Sequence, residues 1–159
     1  MKIVMTPNPY RDKQFRVAEQ AKNILEQEGV TVRMCLPFEV DRNYELPQHL
    51  HFSDLRKELR DAQMLICFGG DGTILHASKF ATAHRIPVLG VNIGTMGFIA
   101  ELESGELELL RKIPKGEYTL EPRSMLDVRV TNAAQTLYRE TALNDVVITK
   151  GAIARVIQI

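Results

Sequence analysis

A chain of 159 residues, 45% hydrophobic and 25% charged, has the makeup of an ordinary soluble globular protein, with room for one good core or for one domain and part of another. Twenty basic and twenty acidic residues cancel. That balance argues against a general nucleic-acid binder, which needs a basic stripe, and no block of like charge marks a membrane-surface patch or an interaction tail.

In chain order, KIVMT (2–6) reads as a short buried strand stopped by PNP. The N-terminus is too short in its apolar part for a signal peptide, and no run is long enough to span a membrane, so the expected compartment is the cytoplasm. Residues 11–28 predict a helix. Phe15, Ala18, Ala21 and Leu25 recur three or four apart, Asp12 and Glu19 lie in its first half, and Gly29 ends it. VTVRMCL (30–36) is the next strand, stopped by Pro37. Residues 38–52 show no period and read as a loop in which His49 and His51 are solvated. SDLRKELRDA (53–62) predicts a short helix with Ser53 as its N-cap. QMLICF (63–68) is apolar without alternation, as in a strand buried on both faces. TILHASKFATAH (73–84) has a helical pattern, and IPVLGVN (86–92) is a further buried strand. Cys35 and Cys67 lie inside apolar runs and read as buried hydrophobes in a reducing compartment, with no clustered partners for a metal site. SGELELLRKI (104–113) predicts a connecting helix with Leu107 and Leu110 on one face.

Strands alternating with helices imply right-handed crossovers and a parallel sheet. Residues 1–100 are therefore expected to form an open, Rossmann-like α/β nucleotide-binding domain, with a connector helix and loop at 101–116. The period then changes. In MLDVRVT (125–131), Leu126, Val128 and Val130 alternate with polar residues, as in a half-solvated antiparallel strand. TLYRETALNDVVITK (136–150) and AIARVIQI (152–159) continue in extended style. Three strand candidates with no closing partner are too few for independent stability, so residues 117–159 are expected to be the truncated start of an antiparallel β domain. Either the chain is a fragment or a second chain completes the sheet, and the open edge predicts self-association into a homo-oligomer.

The chemistry concentrates in LICFGGDGTILHASK (65–79), where Gly69, Gly70, Asp71, Gly72 and Thr73 separate a buried strand from a helix. Glycines let backbone approach a ligand, and N–H groups at a helix start favour phosphate. Asp71 would repel phosphate oxygens, which leaves two readings. It serves as an N-cap beside a Gly-Gly turn, or it faces an attacking hydroxyl or a Mg²⁺ that bridges phosphates. The order GGDGTI is not the dinucleotide fingerprint G-x-G-x-x-G. A second glycine group, NIGTMGF (92–98), follows the next strand and would lie beside the first at the same sheet edge. Phe98 reads as a core side chain or as a platform beneath a base.

Together GGDGTIL (69–75), GVNIGTMGFIAEL (90–102) and ALNDVV (142–147) resemble the NAD kinase family in order and separation as well as in residues. Lipid kinases and phosphofructokinases carry loops related to GGDGT, but the second glycine block and the Asn-Asp pair fit NAD kinases best. The resemblance implies transfer of phosphate from ATP or polyphosphate, with a divalent metal such as Mg²⁺, to the 2′-hydroxyl of the adenosine ribose of NAD, giving NADP. It implies that Asp71 accepts the proton of the attacking hydroxyl. It also implies that Gly70, Gly72 and Thr73 lie against nucleotide, with Phe98 beside it, and that His76 stands where a polar or basic NAD contact is common. Asn144 and Asp145 match the pair that holds NAD, in residues 117–159 read as an incomplete NAD-binding domain. Arg155 matches a basic ligand contact. No residue is assigned to metal. Asp145 stands where the family usually has Glu, one methylene longer, and the family's later Thr-Gly-Ser-Thr-Ala-Tyr segment is absent from the 159 residues. An incomplete active site and an inactive fragment are therefore expected. The alternatives are a non-catalytic nucleotide-binding or assembly module and a lipid kinase.

Overall fold

Apolar runs too short and too uniformly greasy for surface helices become the strands of one parallel sheet. The computed structural model describes residues 1–94 and 97–148. The strands are β1 (Lys2–Pro7), β2 (Thr31–Cys35), β3 (Phe52–Ser53), β4 (Met64–Gly69), β5 (Val88–Asn92) and β6 (Leu102–Glu103), in the order β3-β2-β1-β4-β5-β6 and parallel throughout. The chain winds outward from β1 through β2 to β3. It then crosses back to β4 and winds the other way. The reversal falls between β1 and β4, where an open parallel sheet leaves a crevice at the carboxyl ends of its strands.

Helices cover both faces, as the absence of alternation in β1 and β4 requires. On one face Ile3, Met5, Val32, Met34, Ile66 and Phe68 pack against Ala18, Ala21 and Leu25 of α1 (Arg16–Gln27), and against Leu107 and Leu110 of a 3-10 helix at Leu107–Lys115. On the other, Val4, Leu65 and Cys67 meet α2 (Leu55–Glu58), its 3-10 extension Leu59–Asp61, and Ile74, Ala77 and Ala81 of α3 (Asp71–His84). Cys35 and Cys67 are free and buried, and burial pushes each thiol up to about 12, so neither is a nucleophile at neutral pH.

Several boundaries differ from the sequence reading. The helix expected over 11–28 starts at Arg16, because Gln14 (φ 57°) and Phe15 (φ 58°) are left-handed. Such residues cost about 1–3 kcal/mol each. Burial of Phe15 against Phe52, with ring centroids 4.9 Å apart, helps to offset that cost. So does Asp12, whose carboxylate accepts from the N–H groups of Val17 (3.0 Å) and Ala18 (2.9 Å). Asp54, not Ser53, caps α2, accepting from the Lys57 N–H at 2.7 Å, while Ser53 belongs to β3. The connector expected as an α-helix over 104–113 is the 3-10 helix, with Pro114 inside it. The helix expected from residue 73 begins two residues earlier, at Asp71.

Residues Met1–Glu121 form one compact unit and a second begins at Pro122. The described part of the second is the antiparallel hairpin β7 (Leu126–Thr131) and β8 (Thr136–Ala142), with Arg129 opposite Arg139 and both guanidinium groups on Asp127. The half-solvated face expected for β7 is not there. Leu126 and Val130 are exposed, as are Leu137 and Tyr138 of β8, in a sheet of two strands among the described residues. The strand expected over 152–159, with Arg155, lies outside the described residues. Among the described residues no helix is long and apolar enough to cross a membrane.

Candidate functional site at the carboxyl edge of the sheet

The crevice is floored by the end of β4, every residue of which from Met64 to Gly69 is buried. A Cβ on Gly69 would lie 2.5 Å from Thr73 Oγ1, so only glycine lets the strand turn this tightly into α3. Gly70 takes the N-cap position and its carbonyl accepts from the N–H of Thr73 at 2.9 Å. A Cβ on Gly70 or Gly72 would meet nothing within 4 Å, so the outer side of this loop is open to a ligand. Asp71 is the first residue of α3, where a negative charge is stabilised by the helix dipole.

Asp71 caps no helix. Its carboxylate crosses to the second glycine loop, where Oδ2 accepts from the N–H of Phe98 (3.1 Å) and Oδ1 from the N–H of Ile99 (3.2 Å). A Cβ on Gly97 would overlap Asp71 Oδ1, so glycine at 97 is what admits the carboxylate. The N-cap reading of Asp71 is thereby replaced by a latch between two loops, 27 residues apart. Phe98, tethered at its N–H, is 96% exposed, which removes the core reading of its ring.

Gly70, Asp71, Gly72, Thr73 and Phe98 thus stand together at one edge. His76 follows on α3, exposed and edge-on to the rings of Phe38 (6.0 Å) and Phe80 (5.6 Å). Asn144 and Asp145 belong to the second unit, where both are exposed. Among the described residues no group of three or more His, Cys, Asp or Glu side chains could hold a metal ion.

Three further residues shape this edge, Asn8 and Arg11 outside any motif and Asn92 at the head of the second glycine group. Asn8, just past β1, donates from Nδ2 to Thr73 Oγ1 at 2.8 Å and accepts from the Tyr10 N–H at 3.0 Å, so it ties the β1 and β4 loops together across the switch point. Arg11 lies in the same turn, which is closed by its N–H on the Asn8 carbonyl at 3.1 Å. Asn92, opposite Gly69 in the sheet, is 1% exposed. Its Nδ2 donates to both oxygens of Glu103 (3.2 and 3.1 Å), while its Oδ1 is buried with no hydrogen-bond partner among the described residues. Buried acceptors left unpaired are rare in native structures. The Asn-Pro pair after β1 was the one available hint of an Asx-type turn at Asn8.

Residues 3–118 match the family described as ATP-NAD kinase N-terminal domain. The chain is 44% identical over 108 residues to the NAD kinase of Natranaerobius thermophilus, an alignment covering 67% of this chain and 37% of that protein. It is 34% identical over 159 residues to the NAD kinase of Caldanaerobacter subterraneus subsp. tengcongensis, covering 99% of this chain and 55% of the relative. The chain therefore spans between about a third and just over half of the curated relatives it matches. Among solved structures it resembles yeast NADH kinase complexed with NADH, with a TM-score of 0.66 and 17% identity over 89% of this chain and 46% of that one, a likeness of fold.

Proposed function

The chain belongs to the ATP-NAD kinase family, and from that premise we propose that the protein carrying it phosphorylates the 2′-hydroxyl of the adenosine ribose of NAD, with ATP as donor, to give NADP. The observation that carries this reading is the Asp71 carboxylate fixed at the carboxyl end of β4 by two N–H groups of the neighbouring glycine loop.

The chemistry follows from that geometry. A hydroxyl is a poor nucleophile at neutral pH, and a positioned carboxylate that takes its proton contributes about 10²–10⁴-fold. Each oxygen of Asp71 spends one lone pair on a backbone N–H and keeps capacity for a further hydrogen bond. In the step proposed, the 2′-hydroxyl proton passes to Asp71, the oxygen bonds to the γ-phosphorus, and the bond to the β–γ bridging oxygen breaks to release ADP. Gly70 and Gly72 leave backbone open to the nucleotide, with Thr73 beneath them and Phe98 presented to a base. In this reading His76, Asn144, Asp145 and Arg155 contact NAD. Mg²⁺, when bound, neutralises phosphate charge. Among the described residues no three His, Cys, Asp or Glu side chains group to hold it.

Buried free thiols agree with a cytoplasmic setting, and the exposed apolar residues of the β7–β8 hairpin agree with a homo-oligomer. The test is product formation by the full-length protein supplied with ATP and either NAD or a diacylglycerol. NADP from NAD alone supports the reading, and a phosphorylated lipid without NADP contradicts it.

A further inference from the structure

We propose that Arg11 grips the phosphoanhydride oxygens of a nucleotide bound over the end of β4. The inference deepens the kinase reading and rests on it for the nature of the ligand.

The argument begins with topology. Arg11 leaves the sheet from the β1 loop, yet its Nη1 lies against the β5 loop, 3.5 Å from where a Cβ on Gly94 would stand. In the sheet β4 lies between β1 and β5. The β1 loop and this side chain together therefore reach past the end of β4, across the mouth into which Gly69–Thr73 opens. Its backbone is held at both ends. The N–H groups of Arg11 and Asp12 bond the Asn8 carbonyl, and the Asp12 carboxylate is locked onto the start of α1. Gly94, at φ 113°, is in a conformation that favours glycine, and the guanidinium lies in van der Waals reach of its Cα side.

The charges around it are arranged to leave it available. Asp71 is occupied by the Phe98 and Ile99 N–H groups. Asp12 is occupied by α1, Asp41 by the hydroxyl of Tyr10, Glu101 by the N–H of Gly90, and Glu103 by Asn92. Arg11 is exposed and has no ion pair among the described residues. Each of these acids is thus satisfied by a neutral donor, and among the described residues the Arg11 guanidinium meets no anion. A guanidinium is planar, permanently charged and geometrically matched to two phosphate oxygens at once. The open side of Gly70 and Gly72 leaves space for those oxygens beside it.

The probe is inorganic tripolyphosphate titrated calorimetrically into the full-length protein. Binding by the wild type, weakened about 10- to 100-fold in Arg11→Ala and less in Arg11→Lys, which keeps the charge but loses the two-pronged contact, is the expected result. Equal binding by Arg11→Ala, or none by the wild type, overturns the proposal. Steady-state kinetics then name the source of the phosphates. A raised KM for ATP alone assigns Arg11 to the donor, a raised KM for NAD alone assigns it to the acceptor's diphosphate, and no change in either overturns it. NADP formation unaffected by Arg11→Ala sinks this inference and spares the kinase reading. Arg11-dependent tripolyphosphate binding in a protein that makes no NADP does the reverse.

Discussion

The two edges of the one parallel sheet are built to opposite ends. At the amino edge charges are paired with charges. Lys2 Nζ lies 2.8 Å from Glu58 and 2.5 Å from Asp61, Arg33 reaches Glu58 at 3.9 Å, and Gln63 accepts from the Lys2 N–H. At the carboxyl edge the acids bond to neutral groups, and among the described residues Arg11 has no ion pair and Asn92 Oδ1 is buried without a donor. The same fold thus satisfies one end internally and leaves the other unsatisfied, as a site that completes itself with a ligand must be. Substitutions at the amino edge should change stability and leave chemistry alone, and substitutions at the carboxyl edge should do the opposite.

The largest expected departure is Asp71→Asn in the full-length protein. It should lower kcat by about 10²–10⁴-fold with circular dichroism unchanged, since an amide cannot take the hydroxyl proton. Unaltered turnover in the folded variant would remove Asp71 from the proton-acceptor role. Gly97→Ala should follow, lowering kcat about 10²-fold, because the added methyl displaces the carboxylate without removing it. If kcat holds, the latch does not position Asp71. Asp12→Ala, in the loop after β1, is the exception at this edge, because the Asp12 carboxylate faces α1 and not the crevice. It strands the N–H groups of Val17 and Ala18, and denaturant unfolding should show a loss of about 1–3 kcal/mol.

The smallest effect belongs to the amino edge. The side-chain bond to Lys2 holds the Asp61 carboxyl below its ordinary value of 3.8. A depressed folded pKa contributes stability above the unfolded value, lost as pH falls through the folded one. Lys2 runs the other way. Burial alone would lower its pKa, but the bonds to Asp61 and Glu58 outweigh it and raise it above 10.5, so its contribution is present below that value and lost as pH rises beyond it. Asp61→Asn should therefore reduce Tm slightly at neutral pH, with the gap to wild type closing in acid below about pH 4 and kcat untouched. A gap that persists in acid would mean that Asp61 acts through something other than this pair.

The glycine loops were legible because glycines bracketing an acid between a greasy run and a helical period leave few structural alternatives. The partners were not. Asn8 meets Thr73 across 65 positions, and Asp71 meets Phe98 across 27. Pairings of that kind are made by tertiary packing and leave no trace in local pattern. The start of α1 was hidden because the left-handed Gln14 and Phe15 are held by Asp12 and Phe52, not by any preference of their own. β3, two residues long, is too short for periodicity to register. Phe98 reads as core on hydrophobicity alone, and only the tether at its N–H explains why its ring stands in the open.

The most direct test is a crystal structure of the full-length protein with NAD bound. The account predicts that Asp71 keeps its hold on the second glycine loop and that one of its oxygens comes within about 2.6–3.2 Å of the ribose 2′-oxygen. A 2′-hydroxyl found beyond that reach, with both Asp71 oxygens still facing only Phe98 and Ile99, would contradict it.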